Sequence, residues 1–252
     1  AVIDGDLSRT FVETTLGFHT ACTVLAQLIG NIQTDANSAK KYWYFVRLMG
    51  RETSHVTLEA ALQTRPNIVL IGEGVAAKRL SLRGLTLRIA DSVAKRAEAG
   101  KNFGVIVLPE GLVSSIPEMS ALISEINAAF REGATTDTVR NHLTDWSKAL
   151  FDFLPSFIQR QLLLDRESSG NLHLSQIQTD QLMASMVGRE LARRKAEGSF
   201  RGKFSPICSF GGYESRCATP TVFDCQYVYF VLNSLLEFKC SRQRLRLPLC
   251  FF

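Results

Sequence analysis

Two aspartates, Asp4 and Asp6, flank Gly5 directly after the apolar pair Val2-Ile3. Val2-Ile3 reads as the end of a buried strand and Asp-Gly-Asp as the turn after it, with Gly5 allowing close backbone approach. In an open α/β sheet ligands sit beyond the carboxyl ends of strands, so both carboxylates would face a site. A carboxylate there can take the proton of an attacking hydroxyl, the base's part in phosphoryl transfer. Taken alone, the tripeptide is more often a plain solvated turn.

Other clusters hold complementary chemistry. Met49-Gly50-Arg51 sits where a strand ends; Gly50 would let backbone near a phosphorylated substrate, and Arg51 offers a bidentate fork to phosphoryl oxygens. Glu110, in Pro109-Glu110-Gly111, also follows an apolar run and can accept from sugar hydroxyls, or cap a helix start. Lys41-Tyr42 opens a strand; this ammonium and phenol suit an anionic ligand, across a subunit boundary, or a plain edge-strand pair. Gly212-Tyr213-Glu214-Ser215-Arg216 gathers a flexible glycine, a phenol, a carboxylate and a guanidinium in five residues, an inventory suited to a sugar phosphate or to a loop turn. His19, His55, His142 and His173 lack metal-type spacing, and no residue is assigned as a metal ligand.

The elements that would carry these groups alternate along the chain. Apolar residues at helical spacing occupy 11–30, and Lys41 to Leu48 reads as a strand. A helix over His55 to Gln63 follows Ser54 and stops at Pro66. Asn67 to Gly72 has the short apolar character of a buried parallel strand, residues 81–98 are an amphipathic helix, Phe103 to Leu108 a second buried strand, and 117–131 helical. The rhythm implies an α/β fold with a parallel, doubly wound sheet. Residues 134–173 read as a helical insert that Pro155 kinks or splits, with its aromatic cluster at 146–157 used in packing. Residues 175–197 form one long helix, and Lys203 to Phe210 a strand. The corresponding regions are 1–133, 134–173, 174–229 and an atypical tail, 230–252.

At 252 residues, 46% hydrophobic and 21% charged, the composition is that of a soluble globular protein. Much of the net charge of +5 comes from Lys239, Arg242, Arg244 and Arg246, so the remainder argues for no nucleic-acid partner. A basic cleft for phosphorylated metabolites is compatible with it. Six cysteines without Cys-x-x-Cys spacing read as reduced thiols, and with no signal peptide or membrane-length apolar run the expected location is the cytoplasm.

In order, Asp-Gly-Asp, Lys-Tyr, Met-Gly-Arg, Pro-Glu-Gly and Gly-Tyr-Glu-x-Arg resemble the phosphofructokinase family, and within it the pyrophosphate-dependent 6-phosphofructokinases. The resemblance runs from Val2 to about Tyr229 and includes Tyr44 to Arg51, Ser54 to Glu59 and Phe223-Asp224. The insert around Trp146 to Leu164 is like that of the long pyrophosphate-dependent enzymes, and the intact Asp4-Gly5-Asp6 is like the plant catalytic, beta-type subunit. The resemblance implies reversible phosphorylation of fructose 6-phosphate with pyrophosphate as donor, a phosphofructokinase-type sheet, and an oligomer, homo- or hetero-, with a shared active site. Asp4 would deprotonate the C1 hydroxyl of fructose 6-phosphate, with Asp6 in support. Met49, Gly50 and Arg51 would line the sugar phosphate, with Arg51 also stabilising the transferring group, and Glu110 would hold sugar hydroxyls. Tyr213 and Arg216, with Glu214 and Ser215 between them, would grip the 6-phosphate, and Lys41-Tyr42 would come from a neighbouring subunit. Magnesium would bridge pyrophosphate oxygens.

The chain also departs from the family. A glycine-rich donor loop and an acidic residue normally lie upstream of Asp4, the usual Lys and Thr before Ile-Asp-Gly-Asp are Ala1 and Val2, and an Asp common after Gly-Phe is His19. Ser209-Phe210-Gly211-Gly212-Tyr213 replaces His-Phe-Phe-Gly-Tyr, and Phe230 to Phe252 is unlike the family, with the mixed character of out-of-frame translation at Cys240 to Pro248. These departures predict a fold incomplete at both ends. They leave open a non-catalytic regulatory subunit, an inactive truncated product, or an ATP-dependent enzyme.

Overall fold

The computed structural model describes residues 15–51, 53–134, 136, 138–164 and 176–244, excluding the side chains of Arg216 and residues 234–244. The elements are α1 (Phe18–Ala39), β1 (Trp43–Leu48), α2 (His55–Thr64), β2 (Ile68–Val69), α3 (Gly72–Ala77), α4 (Leu82–Glu98), β3 (Gly104–Pro109), α5 (Leu112–Ser115), α6 (Pro117–Arg131), α7 (Val139–His142), α8 (Asp145–Phe153), α9 (Ser156–Leu164), α10 (Thr179–Ala196), β4 (Pro206–Gly211), α11 (Tyr213–Arg216) and α12 (Val222–Arg244). The strands form one parallel sheet in the order β2-β3-β1-β4, the α/β architecture that the alternation predicts.

Side chains of β1 and β3 alternate between two cores, as the period of a strand requires. Trp43, Phe45, Ile106 and Leu108 face a large core built with α4, α6 and α10, whereas Tyr44, Val46, Leu48, Val105 and Val107 pack with α1 and α2. Both faces of the sheet are therefore covered, which explains strands of nearly unbroken apolar character. Phe151, Leu154, Ile158 and Leu162 belong to the larger core, so packing is continuous from the sheet into the segment read as an insert. Pro155 does separate two helices there.

Local rules place several boundaries. The Ser81 hydroxyl accepts from the Gly84 amide at 3.0 Å, capping α4, and Pro117 opens α6 at the position that needs no amide donor. Basic residues close α4 and α10, where the helix dipole favours them.

Some expectations need correction. Strand β2 is two half-buried residues at a sheet edge rather than a buried run over 67–72, because the chain turns into α3 at Gly72. Helix α1 starts at Phe18, after Gly17 at φ 81°, and continues to Ala39; residues 11–14 lie outside the described region. Trp146 and Phe153 are 65% and 49% exposed, so the aromatic cluster is not all packing. Helix α8 turns Ser147 and Phe151 inward, one turn apart, and leaves the other two outside. The long helix near 175–197 begins only at Thr179, and a short helical turn, α11, stands where a loop was expected.

Candidate functional site

Register brings three chain turns together. Leu48 pairs with both Pro109 and Gly211, so β1, β3 and β4 end flush and their following residues emerge side by side. Around these carboxyl ends lies a cavity of about 360 Å³ whose walls include Met49 and Arg51 after β1, Glu110 after β3, and Tyr213 after β4. These four are the sequence-predicted residues that the fold assembles in one hollow.

The turns after β1 and β3 are joined through backbone. The Glu110 amide donates to the Leu48 carbonyl at 2.8 Å, and the Gly111 amide to the Gly50 carbonyl at 2.9 Å. Gly50 has φ 139°, a conformation that favours glycine. Gly111 is required for another reason: a Cβ there would meet the Arg51 carbonyl oxygen at 1.9 Å. Beyond Arg51, the Ser54 amide donates to a Glu73 carboxylate oxygen at 2.8 Å, and the Gly72 amide to the Ser54 hydroxyl at 3.0 Å. Burial works to raise the Glu73 carboxyl, but its hydrogen bonds from Ser54 prevail and hold it below the usual range. The segment carrying Arg51 is thus fastened to α3.

Glu110 is buried, and its carbonyl accepts from the Thr179 hydroxyl at 3.3 Å. Tyr213, by contrast, is 59% exposed at the cavity rim, in the α11 turn. That turn is stabilised from within, since the Ser215 hydroxyl donates to the Gly212 carbonyl at 2.8 Å and the Cys217 amide to the Tyr213 carbonyl at 2.9 Å. Ser215 therefore spends its hydroxyl on the turn, and Glu214 points to an exposed face. Neither lines the cavity.

Lys41 and Tyr42 precede β1, at the sheet end opposite Met49. Six residues of strand separate them from the cavity, about 20 Å at the usual rise. Within one chain they do not reach it. Lys41 instead sits 4.9 Å from the Tyr42 ring centroid, and Tyr42 packs edge-on to Tyr44. The Tyr44 hydroxyl donates to Asp35, which together with burial pushes its pKa up to about 12. Asp4 and Asp6 lie outside the described residues, as does the Arg216 side chain.

Sequence reasoning missed Arg47, Phe210, Gln176 and Gln178, all of which line the same cavity. Arg47 shares the period of Trp43 and Phe45 on β1, on the face covered by α10. Its Nε lies 3.1 Å from Asp180 Oδ1, an ion pair not aligned as a hydrogen bond, and its Nη1 donates to the Ile177 carbonyl at 2.8 Å. The guanidinium carbon is 4.1 Å from the Phe210 ring centroid. Burial pushes the Asp180 carboxyl up, against the pull of Arg47. Burial also raises the Cys208 thiol to about 12, aided by the neighbouring Asp180. The signal available in the sequence was a lone arginine inside an otherwise apolar strand.

Asp224, at the start of α12, accepts from the Gly17 amide at 3.1 Å, the Thr20 amide at 2.8 Å and the Thr20 hydroxyl. Its carboxylate therefore caps α1, while His19 Nδ1 meets the Thr221 hydroxyl at 2.9 Å.

With Arg47 and Arg51 beside Glu110, the lining has an excess of positive charge and supplies amide, phenol and carboxylate groups. It can bind an anion that also carries hydroxyls. Among the described residues no group of three or more His, Cys, Asp or Glu is placed to hold a metal. No helix among them is long and apolar enough to cross a membrane.

A family model described as Phosphofructokinase matches residues 1–148. The chain is 51% identical over 228 residues to potato (Solanum tuberosum) pyrophosphate--fructose 6-phosphate 1-phosphotransferase subunit alpha, covering 90% of this chain and 37% of that one. It is 47% identical over 229 residues to the subunit beta of Ricinus communis, covering 90% and 42%, and 46% identical over 237 residues to the Porphyromonas gingivalis pyrophosphate--fructose 6-phosphate 1-phosphotransferase, covering 90% and 43%. Alpha and beta subunits thus match at similar identity, and the likeness does not single out the beta type. The chain spans about two-fifths of the length of these curated relatives. On the match across its first 148 residues, the chain belongs to the phosphofructokinase family.

Proposed function

We propose that the protein containing this chain transfers a phosphoryl group reversibly between pyrophosphate and fructose 6-phosphate, and that the cavity is the sugar-phosphate half of its active site. The observation that carries this reading is the convergence of Met49, Arg51, Glu110 and Tyr213 at three flush strand ends. Relatives named for this reaction support the choice of substrates.

In the forward direction the C1 hydroxyl oxygen of fructose 6-phosphate attacks one phosphorus of pyrophosphate. A new C1–O–P linkage forms, the bridging P–O bond breaks, and orthophosphate leaves with the bridging oxygen. Asp4 takes the hydroxyl proton and Asp6 supports it. Arg51 faces the phosphoryl oxygens, where a guanidinium fork stabilises developing charge. Glu110 accepts from sugar hydroxyls, and Tyr213 with Arg216 holds the 6-phosphate. Lys41 and Tyr42, too far from their own cavity, serve that of a neighbouring subunit in a cytoplasmic oligomer. The intact Asp4-Gly5-Asp6 supports the catalytic, beta-type role.

The test is turnover of the full-length protein. Asp4→Ser is expected to lower kcat by several orders of magnitude while fructose 6-phosphate binding persists. Arg216→Ala should raise KM for fructose 6-phosphate and spare pyrophosphate. Unchanged turnover in the first variant, or equal loss for both substrates in the second, removes the assigned role. A second reading, a non-catalytic regulatory subunit, is compatible with matches to subunits named alpha as well as beta. It predicts fructose 6-phosphate binding without turnover when the protein is assayed alone.

A further inference from the structure

We propose that Arg47 is a positioning residue for the sugar phosphate: a buried cation that sets the distance between two cavity walls. The inference rests on the cavity being the fructose 6-phosphate site. Arg47 stands where the strand pattern calls for a core hydrophobe, since Trp43 and Phe45 fill the same face of β1 and are fully buried. Burying an ion pair is weak evidence for stability, because a well-packed apolar side chain does as well or better. The charge is therefore kept for another reason, and its contacts indicate which.

The guanidinium has contacts on two different walls. Asp180 and the Ile177 carbonyl lie at the entry of α10, on either side of Gln178, a lining residue. The Phe210 ring lies at the end of β4, three residues before Tyr213. One planar, rigid group thereby fixes the Gln176–Gln178 wall relative to the Phe210–Tyr213 wall, and it lines the hollow between them. The Gln178 amide is anchored from the outer side as well, donating to Gln161 Oε1 at 3.0 Å. A cation in the cavity lining also adds attraction for a phosphate dianion. A lysine carries the charge but has neither the fork nor the stacking plane.

The experiment compares wild type, Arg47→Lys, Arg47→Met and the double variant Arg47→Met/Asp180→Leu in the full-length protein. It reads Tm, the Kd for fructose 6-phosphate and KM for pyrophosphate. Arg47→Met should lose on the order of 10-fold or more in fructose 6-phosphate affinity, with pyrophosphate KM within about twofold, and Arg47→Lys should show the same selective loss to a smaller degree. The double variant removes the stranded carboxylate, so it should recover Tm but not sugar-phosphate affinity. Recovery of both, or equal loss for both substrates, makes Arg47 merely structural and overturns the proposal while the functional reading stands. Wild type that fails to bind fructose 6-phosphate overturns the reading and the proposal together.

Discussion

The carbonyl oxygen of Arg51 occupies the place where a side chain on residue 111 would begin, with only 1.9 Å between that oxygen and a Cβ built on Gly111. Two loops that follow different strands are thus pressed together with no room for a methyl group. The contact fixes the separation of Arg51 from Glu110, a cation and a carboxylate that line one cavity.

Gly111→Ala should therefore act twice. Overpacking against backbone, which cannot swing aside as a side chain can, should cost about 1–3 kcal/mol of stability. Because the two loops must part, KM for fructose 6-phosphate should rise as well. Thermal melting and steady-state kinetics on the same preparation check both effects; a variant with unchanged Tm and KM would show that the loops yield freely.

Tyr213→Phe tests the rim separately from the fold. The ring is 59% exposed, so loss of the hydroxyl should leave Tm within about 1 °C. Fructose 6-phosphate affinity should fall several-fold, in line with about 1 kcal/mol for one hydrogen bond. Calorimetric titration distinguishes this from a phenol that only shields the cavity, for which affinity would be retained.

The Asp224 carboxylate holds the first turn of α1 by two amides and one hydroxyl. Asp224→Ala should cost about 1–2 kcal/mol, the scale of a lost N-terminal cap. Faster hydrogen exchange at Thr20, with the α10 amides unchanged, would locate the damage. Uniform exchange across both helices would contradict a local cap.

Glu190 supplies a pH-dependent prediction. Hydrogen bonds from Arg193, with those from Arg194, lower its carboxyl from the ordinary 4.5 to about 2. A carboxyl depressed in the folded state contributes stability that is fully present above its unfolded pKa and is lost as pH falls through the folded one. The Tm difference between wild type and Glu190→Gln should be constant above about pH 5 and shrink toward zero near pH 2. A difference that does not change with pH would mean that packing, rather than charge, is what the substitution removes.

Elements with a clean period were legible in the sequence, and so were the groups at their ends. Helix α6 occupies 117–131 as its pattern predicts, and β3 needs a shift of one residue. Met49, Arg51, Glu110 and Tyr213 stood out because breakers beside them mark strand ends, where a parallel sheet presents its ligand site. Arg47 did not, since inside a strand it reads as part of an apolar run. Gln176 and Gln178 were absorbed into the following helix: only tertiary partners, Arg47 on Ile177 and Gln161 on Gln178, hold this stretch open until Thr179. Asp224 was noticed only within a family resemblance, because its partners on α1 lie more than two hundred positions away.

The cap that Cys217 places on the Tyr213 turn has a practical consequence. Burial leaves the thiols of Cys22 and Cys208 protonated up to about 12, so maleimide-type dyes at neutral pH should pass them over. Cys217 is solvent-facing and sits one residue beyond the helical turn at the mouth of the hollow. With the other accessible cysteines replaced by serine, a fluorophore there would give an optical readout of occupancy, independent of any turnover.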